Sequence, residues 1–157
     1  MRSRNVSPVV LTGQLAVPAP PARLVAEWKR ETLTVIGSTP GGGEQLSLPR
    51  ARMRWPQLKS CVAAATRWLQ SCGIEDVLSE SEIALMTCRG AAYHNDAAQY
   101  GAKAFFNLFL SEDLGLDLHF PAIGLRMPLT RGTVVVFDTA QAHGVIRRGS
   151  THFDAAD

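Results

Sequence analysis

The chain has 157 residues, of which 46% are hydrophobic and 19% are charged, and its formal net charge is +2. This length suits one compact domain with a sizeable core, and the composition excludes an intrinsically disordered chain. No apolar run approaches the roughly 18 residues of a membrane span, so we expect no membrane partner. The 16 basic and 14 acidic residues form no basic run longer than Arg147-Arg148, which argues against a nucleic-acid-binding protein.

The cysteine content indicates a reducing compartment. Cys61, Cys72 and Cys88 are odd in number and form no CxxC pair. A secreted domain would normally hold a denser and even set in disulfides, so we expect reduced thiols and a cytoplasmic protein. The sequence carries no signal of oligomeric state.

The first third of the chain is expected to hold a lead-in and one mixed segment. Residues 1–21 are predicted to be an extended or flexible lead-in, because three prolines near its end fix the backbone and remove donors. Residues 22–157 would then form a single domain. The segment 24–36 is ambiguous, with helical spacing in its first half and β-branched residues in its second. Residues 38–43 are expected to form a loop.

The clearest helix is predicted over 56–71. Pro56 suits a first helical position and Gly73 suits the stop. The apolar stripe of this helix consists of Leu58, Val62, Ala65, Trp68 and Leu69. One apolar face of this kind predicts packing on a flat apolar surface, most simply a β-sheet.

From residue 83 onward, short apolar stretches alternate with Gly, Pro and Asp, which is typical of an all-β region. The predicted strands are Ile83–Cys88, Ala92–Asp96, Ala104–Leu110, Leu116–Phe120, Leu125–Leu129, Thr133–Phe137 and Gly144–Arg147. Seven short strands with brief connections suit a sandwich or jelly roll. The expected fold class is therefore mainly β (α+β), with a supporting N-terminal helix packed on the sheet.

Two histidines and one aspartate form a candidate metal site. His94 and Asp96 stand two apart in a predicted strand, so they share a face and lie roughly 6.6 Å apart along it. His143 follows the apolar strand 133–137 and would supply a third ligand from a distant stretch. Two His and one carboxylate leave open positions on a metal, as in the non-haem Fe(II) oxygenases. The triplet His94-Asn95-Asp96 alone is a weak signal. Of the other two histidines, His119 is expected to have a structural role within its strand, and His152 is expected to be exposed.

The order of the motifs is more specific than any one of them. After His94-Asn95-Asp96 come an apolar strand, then Leu118-His119-Phe120, then a hydrophobic strand ending at Phe137, and finally His143-Gly144-Val145. Over about residues 83–149 this order resembles the 2-oxoglutarate- and Fe(II)-dependent dioxygenases, especially the prolyl-hydroxylase-like branch.

The resemblance implies a double-stranded β-helix (jelly roll) in which His94, Asp96 and His143 are the iron ligands. It further implies Fe(II) as the metal, 2-oxoglutarate as the co-substrate and O₂ as a partner. The reaction would hydroxylate an unactivated C–H bond of a protein side chain or a small metabolite. No catalytic residue beyond the metal ligands is assigned.

The family also needs a cation for the distal carboxylate of 2-oxoglutarate, and here the chain departs from it. The usual position lies two beyond a Gly and about ten after the second His, where this chain has Thr151 and Phe153. Arg147 is one candidate, because it shares strand parity with His143 and an Arg fork suits a carboxylate. Lys103, at the start of the predicted strand over 104–110, is the other candidate cation. Asn107, within that strand, is neutral and could instead hydrogen-bond a co-substrate carboxylate or a substrate amide.

This departure leaves an alternative function open. The chain is either shortened or divergent at its C-terminus, since a family member would continue for another strand. A non-catalytic jelly-roll binding module, or an inactive relative that has lost 2-oxoglutarate binding, is therefore the alternative function. A cupin-type metal protein ranks last, because cupins pair His-x-His with a nearby Glu, whereas this chain has His94-Asn95-Asp96 and no Glu follows that triplet until Glu112.

Overall fold

A computed structural model describes residues 5–35, 44–46, 54–75, 78, 85–87, 90–101 and 103–153. The chain divides into two compact units, a β-unit of residues 1–14 with 89–157 and a helical unit of residues 15–88. In chain order the elements are β1 (Val10–Gln14), α1 (Ala22–Val35), β2 (Glu44–Leu46), α2 (Leu58–Ser71), β3 (Leu85–Thr87), β4 (Ala91–His94), α3 (Ala97–Tyr100), β5 (Ala104–Leu108), β6 (Leu116–Phe120), β7 (Leu125–Pro128), β8 (Thr133–Asp138) and β9 (His143–Arg147).

The β-unit contains two antiparallel sheets. The three-stranded sheet has the order β1-β8-β5, and the four-stranded sheet has the order β4-β9-β6-β7. Several neighbours are distant in sequence, since β4 pairs with β9 and β1 pairs with β8. Contacts of this kind can bring side chains from separate stretches of the chain to one place.

The core of the β-unit lies between the two sheets. Side chains alternate across a strand, so Leu118 and Phe120 of β6 point to one face while Asp117 and His119 point to the other. The rings of Phe120 and Phe137, one from each sheet, meet with centroids 5.1 Å apart. The β-unit is thus a two-sheet β-sandwich, which confirms the mainly β class.

Six of the seven predicted strands occur in this sandwich. The strand Leu116–Phe120 has the predicted bounds, and most others differ by one or two residues at an end. The predicted strand Ile83–Cys88 is an exception: Leu85–Thr87 forms a two-stranded antiparallel sheet with Glu44–Leu46 in the helical unit. Periodicity identifies a strand, but it does not say which sheet the strand joins.

Part of the predicted lead-in is an ordered strand. Val10–Gln14 pairs along its whole length with β8, from Val10 opposite Phe137 to Gln14 opposite Thr133. The Gln14 side chain also donates to the Arg131 carbonyl at 2.6 Å. The three prolines follow this strand instead of interrupting it, and they lie between Gln14 and the start of α1 at Ala22.

The helical unit contains the predicted helix and resolves the ambiguous segment. Ala22–Val35 is one continuous helix, because helix formation is cooperative and extends through the β-branched residues. The second helix begins at Leu58, two residues after Pro56, and ends at Ser71 as predicted. Its buried face consists of Leu58, Cys61, Ala65 and Leu69. The packing of this helix on a β-sheet stays a prediction.

Two other expectations meet the structure only in part. The loop predicted over 38–43 lies outside the described residues, as does Cys88. Cys61 and Cys72 are both free thiols, the first buried and the second exposed.

None of the described helices has the length and apolar character required to cross a bilayer.

Candidate metal centre

The three predicted ligands meet at one end of the four-stranded sheet. β4 and β9 run antiparallel, and His94 at the end of β4 lies directly opposite His143 at the start of β9. Asp96 follows β4 by two residues and precedes the four-residue helix α3. The antiparallel pairing therefore joins two stretches of chain that are 49 positions apart.

A bulge in β4 orients His94. Ala91 is opposite Val145 and His94 is opposite His143, so β4 advances by three residues while β9 advances by two. An extra residue on one strand shifts its side-chain alternation by one position. Because of the bulge, His94 faces the same side of the sheet as its partner His143. Without the bulge it would face the other side, since His94 is three residues, an odd number, from the buried Ala91.

Asp96 reaches the site from a turn and not from a strand. The sequence predicted a strand over Ala92–Asp96, but the backbone of Asp96 has φ −103° and ψ 6°, which begins α3. Its backbone N–H donates to the Thr139 carbonyl at 2.7 Å. Thr139 is fully buried, and its hydroxyl donates to the Gly101 carbonyl at 2.6 Å. The loop before β9 therefore anchors Asp96.

The donor atoms are close enough to share one ion. Asp96 Oδ1 lies 3.7 Å from His94 Nε2, and Asp96 Oδ2 lies 3.5 Å from His143 Nε2. All three donors lie within 4.8 Å of one another. Donors at adjacent positions of an octahedral ion with bonds near 2.1 Å are roughly 3 Å apart, so small side-chain movements close the site.

Both imidazoles are held in the tautomer that suits a metal ligand. His94 Nδ1 lies 2.7 Å from the Ala92 carbonyl, and His143 Nδ1 lies 3.0 Å from the Gln141 carbonyl. A carbonyl oxygen only accepts hydrogen bonds, so each Nδ1 must carry a proton. In the neutral ring, each Nε2 then carries a free lone pair on the side of Asp96. Metal-binding histidines are commonly held in this way, by a hydrogen bond from the ring nitrogen that does not bind the metal.

The site is closed on one side and open on the other. The side chain of His143 is 7% exposed, that of Asp96 18% and that of His94 41%. Phe137 packs on the His143 ring with centroids 4.7 Å apart, and Phe120 lies 5.9 Å away. A bound ion would therefore have an apolar wall behind it and free coordination positions toward solvent.

Burial also sets the protonation of His143. Burial lowers the pKa of His143, and the nearby His94 acts in the same direction. The hydrogen bond to Gln141 and the Asp96 carboxylate oppose this shift without cancelling it. A lowered pKa keeps the imidazole neutral at pH 7, which is the form that binds a metal.

The donor set restricts which ions fit. Two imidazoles and one carboxylate suit Fe(II), Mn(II), Co(II) or Zn(II) better than Ca(II) or Mg(II), which prefer all-oxygen sites. The same three donors on one side of an ion leave open positions, which is the pattern of non-haem iron enzymes. His94, Asp96 and His143 could thus hold a transition-metal ion.

The residues predicted to bind 2-oxoglutarate lie in three different places. Arg147 is exposed at the far end of β9, four residues or about 13 Å along the strand from His143. Lys103 is exposed and lines a groove of about 300 Å³ beside Val136 and Asp138. Asn107 is half-buried on β5 opposite Val135, on the core face of the three-stranded sheet.

The remaining histidines do not join the site. His119 points away from the core and is hydrogen-bonded through Nδ1 to the Tyr93 hydroxyl at 2.6 Å. His152 is exposed near the end of the described chain. Both agree with their predicted non-ligand roles.

The sequence reasoning missed the groups that hold the ligands. These are the carbonyls of Ala92 and Gln141, the buried Thr139 and the aromatic wall of Phe120 and Phe137. A backbone carbonyl has no residue-specific signal, so no sequence pattern could have identified the first two. The sequence predicted the two strands that carry these phenylalanines, but not their contact with His143.

Comparisons with known proteins add no family to this geometry: no family model, no curated protein and no solved structure matches the chain.

Proposed function

We propose that the chain is an Fe(II)- and 2-oxoglutarate-dependent dioxygenase that hydroxylates an unactivated C–H bond of a protein side chain or a small metabolite. The observation that carries the proposal is the meeting of two imidazoles and one carboxylate, whose ligand atoms lie within 4.8 Å of one another at an open end of the sandwich. A two-His, one-carboxylate set with free positions is the arrangement that such oxygenases use. The proposed connectivity is the double-stranded β-helix (jelly roll).

In this proposal each ligand has a distinct task. His143 and Asp96 are the better enclosed members, anchored by Gln141 and Thr139, and they define the position of the ion. His94 completes the set at the solvent side. Phe120 and Phe137 exclude water from the rear of the site, which strengthens electrostatic interactions there.

The cofactor supplies the chemistry that the side chains cannot. His94, Asp96 and His143 would hold Fe(II), which together with 2-oxoglutarate and O₂ would supply the oxidant needed to break an unactivated C–H bond. The chain positions the reactants and keeps the ligand imidazoles oriented. Asn107, on the core face of β5, and Lys103, whose carbonyl accepts from Thr139, are the candidates for the co-substrate carboxylate.

The test measures succinate formed from 2-oxoglutarate, with Fe(II), ascorbate and air, in the purified chain. We expect slow formation without substrate, and its loss in His94→Ala. His152→Ala is the matched control, because it removes an exposed histidine outside the site and should keep the parent rate. Equal rates for the parent chain and His94→Ala would refute the proposal.

A second candidate is a metal-binding sandwich that has lost 2-oxoglutarate binding. The observation favouring it is that Arg147 is exposed far along β9, while Thr151, at the usual cation position, is exposed and uncharged. Calorimetry with Mn(II), then with 2-oxoglutarate, separates the two. The dioxygenase binds 2-oxoglutarate only after the metal, whereas the inactive relative binds the metal alone.

A further inference from the structure

A hydrogen-bonded pair of aromatic side chains lies on the outer face of the four-stranded sheet, behind His94. The Tyr93 hydroxyl is 2.6 Å from His119 Nδ1, and the two rings meet edge to face with centroids 5.6 Å apart. His119 is on β6, opposite Gly144 of β9. The pair therefore spans from β4 across β9 to β6.

Tyr93 belongs to the β4 bulge that orients His94. Between the Ala91–Val145 and His94–His143 pairs, Ala92 and Tyr93 together oppose the single residue Gly144. The Ala92 carbonyl is the group that accepts from His94 Nδ1. Any movement of the bulge thus changes the direction of that carbonyl, and with it the direction of the His94 ring.

Gly144 provides the space in which Tyr93 lies. A Cβ atom at Gly144 would be 3.0 Å from Tyr93 Cδ1 and 3.2 Å from the Ala91 carbonyl oxygen. The ring of Tyr93 therefore packs directly over the backbone of β9. The Tyr93 side chain is therefore held at two points, by the packing of its ring on β9 and by the hydrogen bond between its hydroxyl and His119.

We propose that Tyr93 and His119 are positioning residues that hold the β4 bulge in the shape which points His94 at the ion; we name this pair the tyrosine–histidine staple. The proposal rests on the metal centre and does not depend on whether the centre performs dioxygenase chemistry. His94 needs such support because it is 41% exposed and has one hydrogen bond to backbone, whereas His143 is enclosed by two phenylalanines.

The first experiment compares Mn(II) affinity, measured by electron paramagnetic resonance of the free ion. Tyr93→Phe keeps the ring over Gly144 but removes the hydroxyl, and it should weaken Mn(II) binding roughly 3- to 10-fold. His119→Leu should weaken it to the same degree and leaves Tyr93 in place if the first variant folds poorly. The double variant should bind no more weakly than either single variant, because both changes break the same contact.

The control variant removes a similar hydrogen bond elsewhere. The Thr66 hydroxyl donates to the Val62 carbonyl at 3.0 Å within α2 of the helical unit. Thr66→Val should retain the parent Mn(II) affinity. An unchanged affinity in a folded Tyr93→Phe, or additive losses in the double variant, would overturn the staple.

The second measurement is made on the metal-free protein, by long-range ¹H–¹⁵N correlation of the histidine rings. The parent should show His94 as the single Nδ1–H tautomer, and Tyr93→Phe should show a mixture. If the parent binds no Mn(II), the metal centre itself is refuted, and this measurement still decides whether the staple orients His94. An identical His94 tautomer in both proteins would refute the staple.

Discussion

The two histidine ligands differ in burial, and this difference predicts different effects of removing them. His94→Ala and His143→Ala each delete one of three donors, so both should abolish stabilisation by a metal ion. Without metal, the variants should diverge. His94 is 41% exposed, and its removal leaves no cavity, whereas the 7% exposed His143 packs against both Phe120 and Phe137.

The magnitudes follow from burial and from mass action. An ion that binds only the native state at 100 times its Kd adds about 2.7 kcal/mol to the free energy of unfolding. At about 2–4 °C per kcal/mol for a chain of this length, the parent Tm should rise by roughly 5–10 °C. Without metal, His94→Ala should change stability by less than about 0.5 kcal/mol, and His143→Ala should lower it by about 2 kcal/mol.

The assay is thermal unfolding followed by circular dichroism at pH 7.5, with chelator or with excess Mn(II). His152→Ala serves as the control and should keep the whole metal-dependent rise in Tm. Retention of that rise by either ligand variant would contradict the assigned ligand set. Equal destabilisation of the metal-free protein by His94→Ala and His143→Ala would contradict the difference in their burial.

Three further predictions follow from other parts of the structure. Phe137→Ala should lower the free energy of unfolding by about 3–5 kcal/mol, because the buried ring packs between the sheets; urea unfolding measures this, and a loss below 1 kcal/mol would contradict the packing. Iodoacetamide should modify the exposed Cys72 well before Cys61, since burial raises the pKa of the Cys61 thiol; peptide mass spectrometry decides the order. The hydrogen bonds from Arg148 lower the pKa of Asp113 in the folded protein. The Asp113 carboxylate therefore stabilises the fold at pH values above its pKa in the unfolded chain, and this contribution is lost as the pH falls through its lower pKa in the folded protein. Asp113→Asn should therefore reduce the acid-induced loss of stability below about pH 4, and an unchanged acid profile would argue against this pairing.

The location of the site reflects the antiparallel pairing of the four-stranded sheet. One end of the sheet carries the end of β4 and the start of β9, and the loop before β9 supplies Thr139 as the anchor for Asp96. The ligands thus depend on a long-range strand pair and a short-range turn together. Removing any of these contacts would alter the distances between the donors.

Much of the β-unit could be predicted from local patterns. The alternation of Leu116, Leu118 and Phe120 with polar residues predicted β6 with its observed bounds. His94, Asp96 and His143 were selected as a group from their spacing and order, and the structure brings them together. Local chemistry is sufficient for these inferences, because side-chain alternation and residue type are both readable in one dimension.

Other features could not be predicted, because they depend on partners that are distant in the chain. Val10–Gln14 has little apolar alternation of its own, and it forms a strand because β8 offers an edge. Asp96 lies in a turn and not in the predicted strand, because its backbone N–H donates a hydrogen bond to the Thr139 carbonyl. Leu85–Thr87 has strand character, but only its pairing with Glu44–Leu46 decided the sheet that it joins.

The sequence by itself determined the class of the fold, the position of most strands and the identity of the three candidate ligands. Tertiary structure alone decided that β4 bulges opposite Gly144, that backbone carbonyls hold both imidazoles, and that His94 is exposed while His143 is enclosed. The physical reason is that residue type is a local property, whereas the direction of a side chain depends on hydrogen bonds and packing with residues far along the chain.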